Sequence, residues 1–390
     1  MTPRQLDCGY VPLVDSAPLI IARALNFDKE EGIRLNLLRQ PSWSALRDLL
    51  ALGHLDCAQM LSPLPIAMSL GLGGIPCRID ALMVLSVNGN TIGVSNALAD
   101  AMRGNGWDSG FQTPFETGRH LLAAAEAPLR VGVPFPFSMH AELLHIWLER
   151  SGLTTPPQII TIPPPRMAEA VANDQIDAFC VGEPWGSQAV EAGVSELILP
   201  GRAIWQFAPE KVLAVRHRWI EEEPMTVAAL MRTIFHACRW LDKQDNRTLA
   251  SEILMRSEYL DLSDSVIDRA LMGRILPRPG SIGEDVPGFL HFARSGATFP
   301  WRSQAAWIAH RLAPRHGLNR ETAIAAAKAC FRADLYRANL ASLGVDMPGA
   351  SEKLEGSMIH RTAVASVKGD MILGPDAFFD GSIFDPTVVG

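Results

Sequence analysis

The chain has 390 residues, 48% of them apolar and 20% charged, with a formal net charge of −7. That length exceeds one ordinary hydrophobic core and predicts two or three domains, and the composition excludes a disordered or low-complexity chain. The modest negative charge also excludes a nucleic-acid surface, which needs clustered Lys and Arg.

The chain opens Met1-Thr-Pro-Arg-Gln-Leu-Asp7, without the basic start and long apolar run of a secretory leader. The expectation is therefore a cytoplasmic protein, or a periplasmic one if a leader has been removed. Leu6–Tyr10 reads as a strand, and Asp15 as the cap of a helix with Pro18 in its first turn. Ile33–Arg39 is the next strand, after which Ser42 caps a helix that runs to Leu52 and stops at Gly53. A strand Leu55–Leu61 and a helix opened by Pro63 follow. Gly71-Leu-Gly73-Gly74 comes after a helix rather than a strand, so it is a turn and not a phosphate-binding loop.

Strands Ala81–Val87 and Thr91–Val94 come next, then an Asn96 cap and helices near Ala97–Arg103 and Thr113–Ala125. Strand Leu129–Pro134 leads to a helix capped by Ser138 and ending near Gly152. Strand Gln158–Ile162, a helix around Arg166–Asn173 and strand Ala178–Val181 complete the series. This alternation predicts an α/β fold of parallel sheets covered by helices on both faces. From Met225 the chain turns helical: Met225–Lys243, Asn246–Ser257, Ser263–Gly273, Trp301–Leu312 and Asn319–Leu343. Arg278–Pro300 reads as a connecting loop, and the tail from Gly344 to Gly390 is expected to wrap over a lobe. The six cysteines (Cys8, Cys57, Cys77, Cys180, Cys238, Cys330) form no CxxC pair, which predicts reduced, mostly buried thiols.

In open α/β sheets ligands sit beyond the carboxyl ends of strands, near helix N-termini. Four donors occupy such junctions. His140 falls at a capped helix start, where a neutral imidazole donates one hydrogen bond; a first-turn residue packed on Trp147 is the plainer reading. Trp43 offers an indole N–H and a flat face, although a tryptophan at a helix start is more often core. Asn90 is either a turn residue beside Gly89 or an amide donor. Lys211, one of only six lysines, heads an apolar strand Lys211–Val215, where it either snorkels to solvent or faces an anion. Glu183, in the turn Gly182-Glu-Pro-Trp185, is in principle a catalytic acid but is given a structural or hinge role, because a carboxylate repels a bound anion.

Six ordered stretches carry a family resemblance: Gly9-Tyr-Val-Pro-Leu-Val-Asp-Ser-Ala-Pro-Leu19, Gln40-Pro-Ser-Trp-Ser-Ala-Leu-Arg-Asp48, Met60-Leu-Ser-Pro-Leu-Pro65, Ile162-Pro-Pro-Pro-Arg-Met167, Asp177-Ala-Phe-Cys-Val-Gly-Glu-Pro-Trp185 and Pro209-Glu-Lys211. On these the chain resembles the nitrate- and bicarbonate-binding proteins of ABC transporters and the soluble nitrate sensors derived from them. The resemblance implies a type II-like periplasmic-binding-protein fold, with two α/β lobes, a hinge and a ligand cleft. The expected lobes are 1–88 plus 208–390, with the C-terminal helices and tail, and 89–207. It implies ligand contacts at Trp43, His140 and Lys211, with Asn90 standing where the family has a glutamine, one methylene longer. Bicarbonate binders carry an acidic residue and a metal where Lys211 stands, so Lys211 implies nitrate or nitrite, with no cofactor and no metal.

The function implied is a cytoplasmic nitrate/nitrite sensor. Such a sensor holds a response-regulator-like, RNA-binding transcription antiterminator and releases it when the anion binds, without itself touching nucleic acid or spanning a membrane. The alternative is the substrate-binding component of a nitrate ABC transporter. A thiamine-precursor-synthase-like enzyme is a distant third, since those enzymes carry a cysteine-rich motif where this chain has only Cys180.

Overall fold

The protein is described by a computed structural model. It covers residues 3–108, 110–126 and 128–388, so the expected outer limits of the first lobe and the tail, residues 1–2 and 389–390, lie outside the described residues. Along the chain the long strands are β1 (Arg4–Tyr10), β2 (Ile33–Arg39), β3 (Cys57–Leu61), β4 (Ile79–Asn88), β5 (Asn90–Ser95), β6 (Arg130–Val133), β7 (Gln158–Thr161), β8 (Ala178–Gly182), β9 (Ser195–Pro200) and β10 (Pro209–Arg216). They form two sheets, one per lobe. The first runs from an edge strand Leu290–His291 through β4, β10, β3 and β1 to β2, and the second is β7-β6-β8-β5-β9.

Neither sheet is wholly parallel, and here the sequence reading is corrected. β10 runs antiparallel to both β3 and β4, and β5 runs antiparallel to both β8 and β9. These two strands enter their sheets from the opposite lobe. β4 ends at Asn88 and β5 begins at Asn90, leaving only Gly89 between the lobes. Asn88 (φ 62°) and Gly89 (φ 92°) absorb the change of direction in the left-handed region, and Asn88 Nδ2 donates to Gln206 O at 2.9 Å in the returning segment. The turn role therefore belongs to Asn88 and Gly89, and Asn90 is a strand residue paired with Gly182.

Local chemistry places the helices. Ser42 Oγ accepts from Ala45 N, and Gly53 (φ 85°) closes the helix Trp43–Leu52. Ser138 caps the helix Met139–Arg150 in the same way. The expected Asn96 cap is Ser95 instead, whose hydroxyl accepts from Leu98 N. Asp15 makes no cap either: the helix Ala17–Ala24 starts after Ser16 without a side-chain bond. The long helix read over Asn319–Leu343 is two, Arg320–Cys330 and Ala333–Leu340. Phe331 (ψ 103°) breaks it and bridges to Ala81 in β4. That break brings Arg332 Nη1 within 2.9 Å of Asp80, a fully buried carboxylate that also faces His217 at 2.7 Å. Burying a carboxylate without such partners is costly.

The Gly/Pro-rich loop contributes the edge strand Leu290–His291, which pairs with Asn88 and Val87 next to the lobe crossing. The tail pairs with Lys328 through Glu352 at 2.8 Å and crosses to the second lobe. Phe378 stacks on Trp205 at 4.8 Å, Phe379 lies 4.6 Å from the Phe115 ring, and Asp380 pairs with Arg150 at 3.0 Å. All six cysteines are free thiols, and five of them are buried. Among the described residues no helix is long and apolar enough to cross a membrane.

Candidate anion site

The two strands that cross between lobes deliver their first residues to the space between the sheets. Asn90 opens β5, and Glu210 and Lys211 lie at the start of β10. Adjacent strand residues normally face opposite ways, but the pairing of β10 with β4 shifts register between Pro209 and Lys211 and again before Val212. A bulge of this kind re-aims side chains, and Lys211 Nζ lies 2.9 Å from Glu210 Oε1. From the turn after β1, Asp15 Oδ2 approaches the same ammonium at 2.7 Å. Gln59, in the middle of β3, donates to Asp15 Oδ1 and accepts from Val11 N. Lys211 Nζ also sits 5.5 Å from the ring centre of Trp43, within cation–π range.

The second lobe supplies the rest. His140, in the first turn of its helix, places Nδ1 3.2 Å from Glu210 Oε1. Asn90 Nδ2 donates to Glu210 Oε2 at 2.9 Å. A Cβ on Gly182 would stand 3.6 Å from Asp15 Oδ2 and 3.7 Å from His140 Nε2, so this glycine floors the space between them. Trp43, Asn90, His140, Lys211, Glu210, Asp15 and Gln59 are all buried.

Several of these buried groups are incomplete. Trp43 Nε1, Asn90 Oδ1 and His140 Nε2 have no hydrogen-bond partner, and the 3.2 Å contact of His140 Nδ1 with Glu210 lacks the alignment of a hydrogen bond. Buried polar groups are rarely left so, and each costs free energy while it is. Burial, with Lys211 nearby, pushes the His140 imidazole well below its usual range, so it is neutral and offers one donor. Burial works against the Lys211 charge, but Asp15 and Glu210 outweigh it and hold the ammonium above its ordinary value. Burial lifts Asp15, opposed by Lys211. It lifts Glu210 to about 6, opposed by the same lysine.

The structure thus brings Trp43, Asn90, His140 and Lys211 into one cluster. Glu183 stands apart from it, accepting from Thr91 Oγ1 at 2.8 Å and from Ser187 N at 3.1 Å. Its backbone carbonyl accepts from Val14 N of the other lobe at 3.0 Å, beside a Trp185 Nε1 to Pro12 O bond of 2.7 Å. Sequence reasoning missed Asp15, Gln59 and Glu210. Two signals were present: a glutamine in the middle of an apolar strand, and a glutamate adjacent to the lysine already singled out. Among the described residues no group of three or more His, Cys, Asp or Glu side chains is placed to hold a metal ion. Outside the cluster, a crevice of about 580 Å³ is lined by Pro12, Arg39, Ser42 and Arg166 among others, which sets two cationic side chains beside the Trp43 helix.

Comparison with known proteins places this geometry. The NMT1-like family profile matches residues 1–255. The nitrate import ATP-binding protein NrtC of Synechocystis sp. PCC 6803 is 33% identical over 313 residues, 79% of this chain but 45% of that protein, so the chain spans about half of it. The nitrate/nitrite binding protein NrtA of Nostoc sp. PCC 7120 is 26% identical over 97% of this chain and 82% of its own length. The crystal structure of the periplasmic nitrate-binding protein NrtA from Synechocystis PCC 6803 superposes with a TM-score of 0.84 at 26% identity, covering 98% of this chain and 96% of that one. These full-length relatives are solute-binding proteins rather than enzymes, and the type II-like two-lobed architecture is theirs as well. The chain belongs to the NMT1-like family and is similar in fold and sequence to nitrate-binding proteins.

Proposed function

We propose that the chain binds nitrate or nitrite between a lobe of residues 1–88 plus 208–390 and a lobe of residues 89–207, and that the anion makes contact with Lys211, His140, Trp43 and Asn90. One observation carries the reading: the unpartnered Trp43 indole and His140 imidazole belong to side chains gathered around a fully buried ammonium and its carboxylates. A planar oxyanion accepts from the indole and imidazole donors at once and adds a charge-assisted bond to Lys211. Micromolar affinity needs about 8 kcal/mol, and an anion of four atoms reaches that through charge together with several aligned donors. The names of some relatives specify nitrate import and nitrate binding and those of others bicarbonate transport and binding, and the buried Lys211 cation is what favours nitrate or nitrite in this reading. Calorimetric titration with nitrate, nitrite and bicarbonate tests it. A nitrate or nitrite isotherm at least tenfold tighter than that for bicarbonate is expected; no heat from either nitrogen oxyanion defeats the reading.

Occupancy then serves delivery. With binding proteins of import systems as its relatives, the chain is best read as the substrate-binding component of a nitrate ABC transporter. The sensor reading stands second and rests on the resemblance to soluble nitrate sensors. In it the open form holds an RNA-binding antiterminator and the closed form, favoured by nitrate, releases it. A pull-down with tagged protein from cell extract separates the two. A transport component retains permease or ATPase subunits, whereas a sensor retains an RNA-binding protein that nitrate elutes.

A further inference from the structure

We propose that anion binding in this cleft takes up a proton, which lands on the paired carboxylates Glu210 and Asp15. The inference rests on the binding site proposed above and adds to it a charge rule for that site.

The count starts from the buried groups. Lys211 is the cation that Glu210 and Asp15 share, at 2.9 and 2.7 Å. All three side chains are almost wholly out of water, and with both carboxylates ionised the cluster carries one positive and two negative charges. The other groups facing Glu210 add no positive charge. His140, from the opposite lobe, is neutral, Asn90 of β5 is an amide, and the Cys180 thiol of β8 is pushed well above its ordinary value by burial and by Glu210. On the Asp15 side stands Gln59 of β3, another amide. An arriving anion would therefore be the third negative charge around one ammonium, at distances and in a medium where repulsion is poorly screened. Lys211 also has its best directions occupied by the carboxylates that the anion must displace or share with.

Protonating one carboxylate removes the conflict. The proton comes from solvent, since nitrate is the conjugate base of a strong acid and cannot bring one. Of the two acids, Glu210 has the better geometry. Its Oε2 already receives Asn90 Nδ2, while Asn90 Oδ1 has no donor. A Glu210 hydroxyl can donate to Asn90 Oδ1 after the amide turns over, which gives that oxygen the donor it lacks. Asp15 keeps its two partners, Lys211 and Gln59. The free cleft is poised for this, because burial already holds Glu210 at about 6, and a neighbouring anion raises it further.

The sign follows from linkage. If the complex holds one more proton than the free protein, affinity rises tenfold for each unit of pH lowered, between the Glu210 pKa of the complex and that of the free cleft near 6. The test is calorimetry of the full chain with sodium nitrate at pH 7.5 in two buffers of very different ionisation enthalpy, phosphate and Tris. The difference in observed heat counts the protons bound, and close to one per nitrate is expected. The nitrate affinity should also weaken about tenfold from pH 7 to pH 8. Glu210→Gln should bring the proton count close to zero and flatten the pH profile. Equal heats in both buffers together with a pH-independent affinity in the unaltered protein would overturn the inference while leaving the anion site standing. Absence of any nitrate heat would instead overturn the binding reading on which it rests.

Discussion

The helix Met139–Arg150 touches the other lobe at two places that are built on opposite terms. At its first turn, His140 enters the cleft beside Glu210 and Lys211, where every charged group is buried. Along its flank, Glu142 and Glu149 pair with Arg315 and Arg311 of the helix Arg302–Arg315, and Arg150 at its end pairs with Asp380 of the tail. On this flank only Glu142 is fully buried; its partner is 28% exposed and the Arg311 pair is open to water on both sides. The flank pairs have matched charges, although Glu142 Oε2 and Arg311 Nε have no hydrogen-bond partner, whereas the cleft holds two carboxylates for one lysine and two donors, the Trp43 indole and the His140 imidazole, with no acceptor. A region built only to hold the lobes together balances its charges. A region that exchanges partners with a ligand leaves charge and donors uncompensated.

The sharpest way to break that contrast is to empty the cleft of its cation. Lys211→Glu is the direct charge reversal, but it would set three buried carboxylates together, so the fold is not expected to survive it. Lys211→Gln alone strands Asp15 and Glu210, at a cost of about 3–5 kcal/mol in stability. Lys211→Gln combined with Glu210→Gln keeps the net charge of the cluster and should recover much of that loss. The double variant should still lose nitrate binding by a factor of roughly a thousand, the worth of a charge-assisted bond in a dry site together with the alignment it provides. Urea unfolding and nitrate calorimetry on both variants read the two effects separately.

Arg315→Ala probes the flank. It leaves Glu142 buried and unpaired, and about 2–3 kcal/mol of stability should go, less than the full cost of a buried pair because Arg315 is partly solvated. Burial already raises the Glu142 carboxyl, opposed chiefly by Arg315. An acid whose folded pKa lies above its unfolded one binds more protons when folded, so stability falls as pH rises through that window. Removing Arg315 widens the window upward, and the deficit of the variant, measured by urea unfolding, should shrink as the pH is lowered from 8 toward 5. Its nitrate affinity should move less than about threefold, since it contacts no cleft group.

Much of this arrangement was legible in the sequence, and the limits have physical causes. Ser42, Gly53 and Ser138 work as local caps because a cap depends on residues within one turn. Trp43, His140 and Lys211 each admitted a plainer reading from residue chemistry alone, and the family resemblance singled them out together. Asp15 was misread as a cap because its partner, Lys211, lies far off in sequence and meets it only when β10 inserts beside β3. The direction of β5 and β10 was missed for the same reason: each strand looks like its neighbours, and only the shortness of the Gly89 crossing says that it enters from the other lobe. The break at Phe331 is a tertiary demand too, set by Asp80 in a strand some 250 residues earlier.

Smaller effects sharpen the same comparison. Trp43→Phe keeps the ring over Lys211 and deletes an N–H that has no partner in the free protein. Stability should change by less than about 1 kcal/mol, while nitrate affinity falls five- to tenfold, the usual worth of one hydrogen bond of about 1–1.5 kcal/mol. Arg311→Ala removes an ion pair with solvent on both sides, and by the same unfolding assay it should cost no more than about 1 kcal/mol.

The central claim is that the anion sits where the unpartnered donors point. A crystal structure of the protein grown with nitrate tests it most directly. The account predicts a planar anion within hydrogen-bond distance of Lys211 Nζ, Trp43 Nε1 and a His140 ring nitrogen, with the Glu210–Lys211 contact lengthened. Nitrate ordered elsewhere, with the Lys211 pairs to Asp15 and Glu210 unchanged, would contradict it.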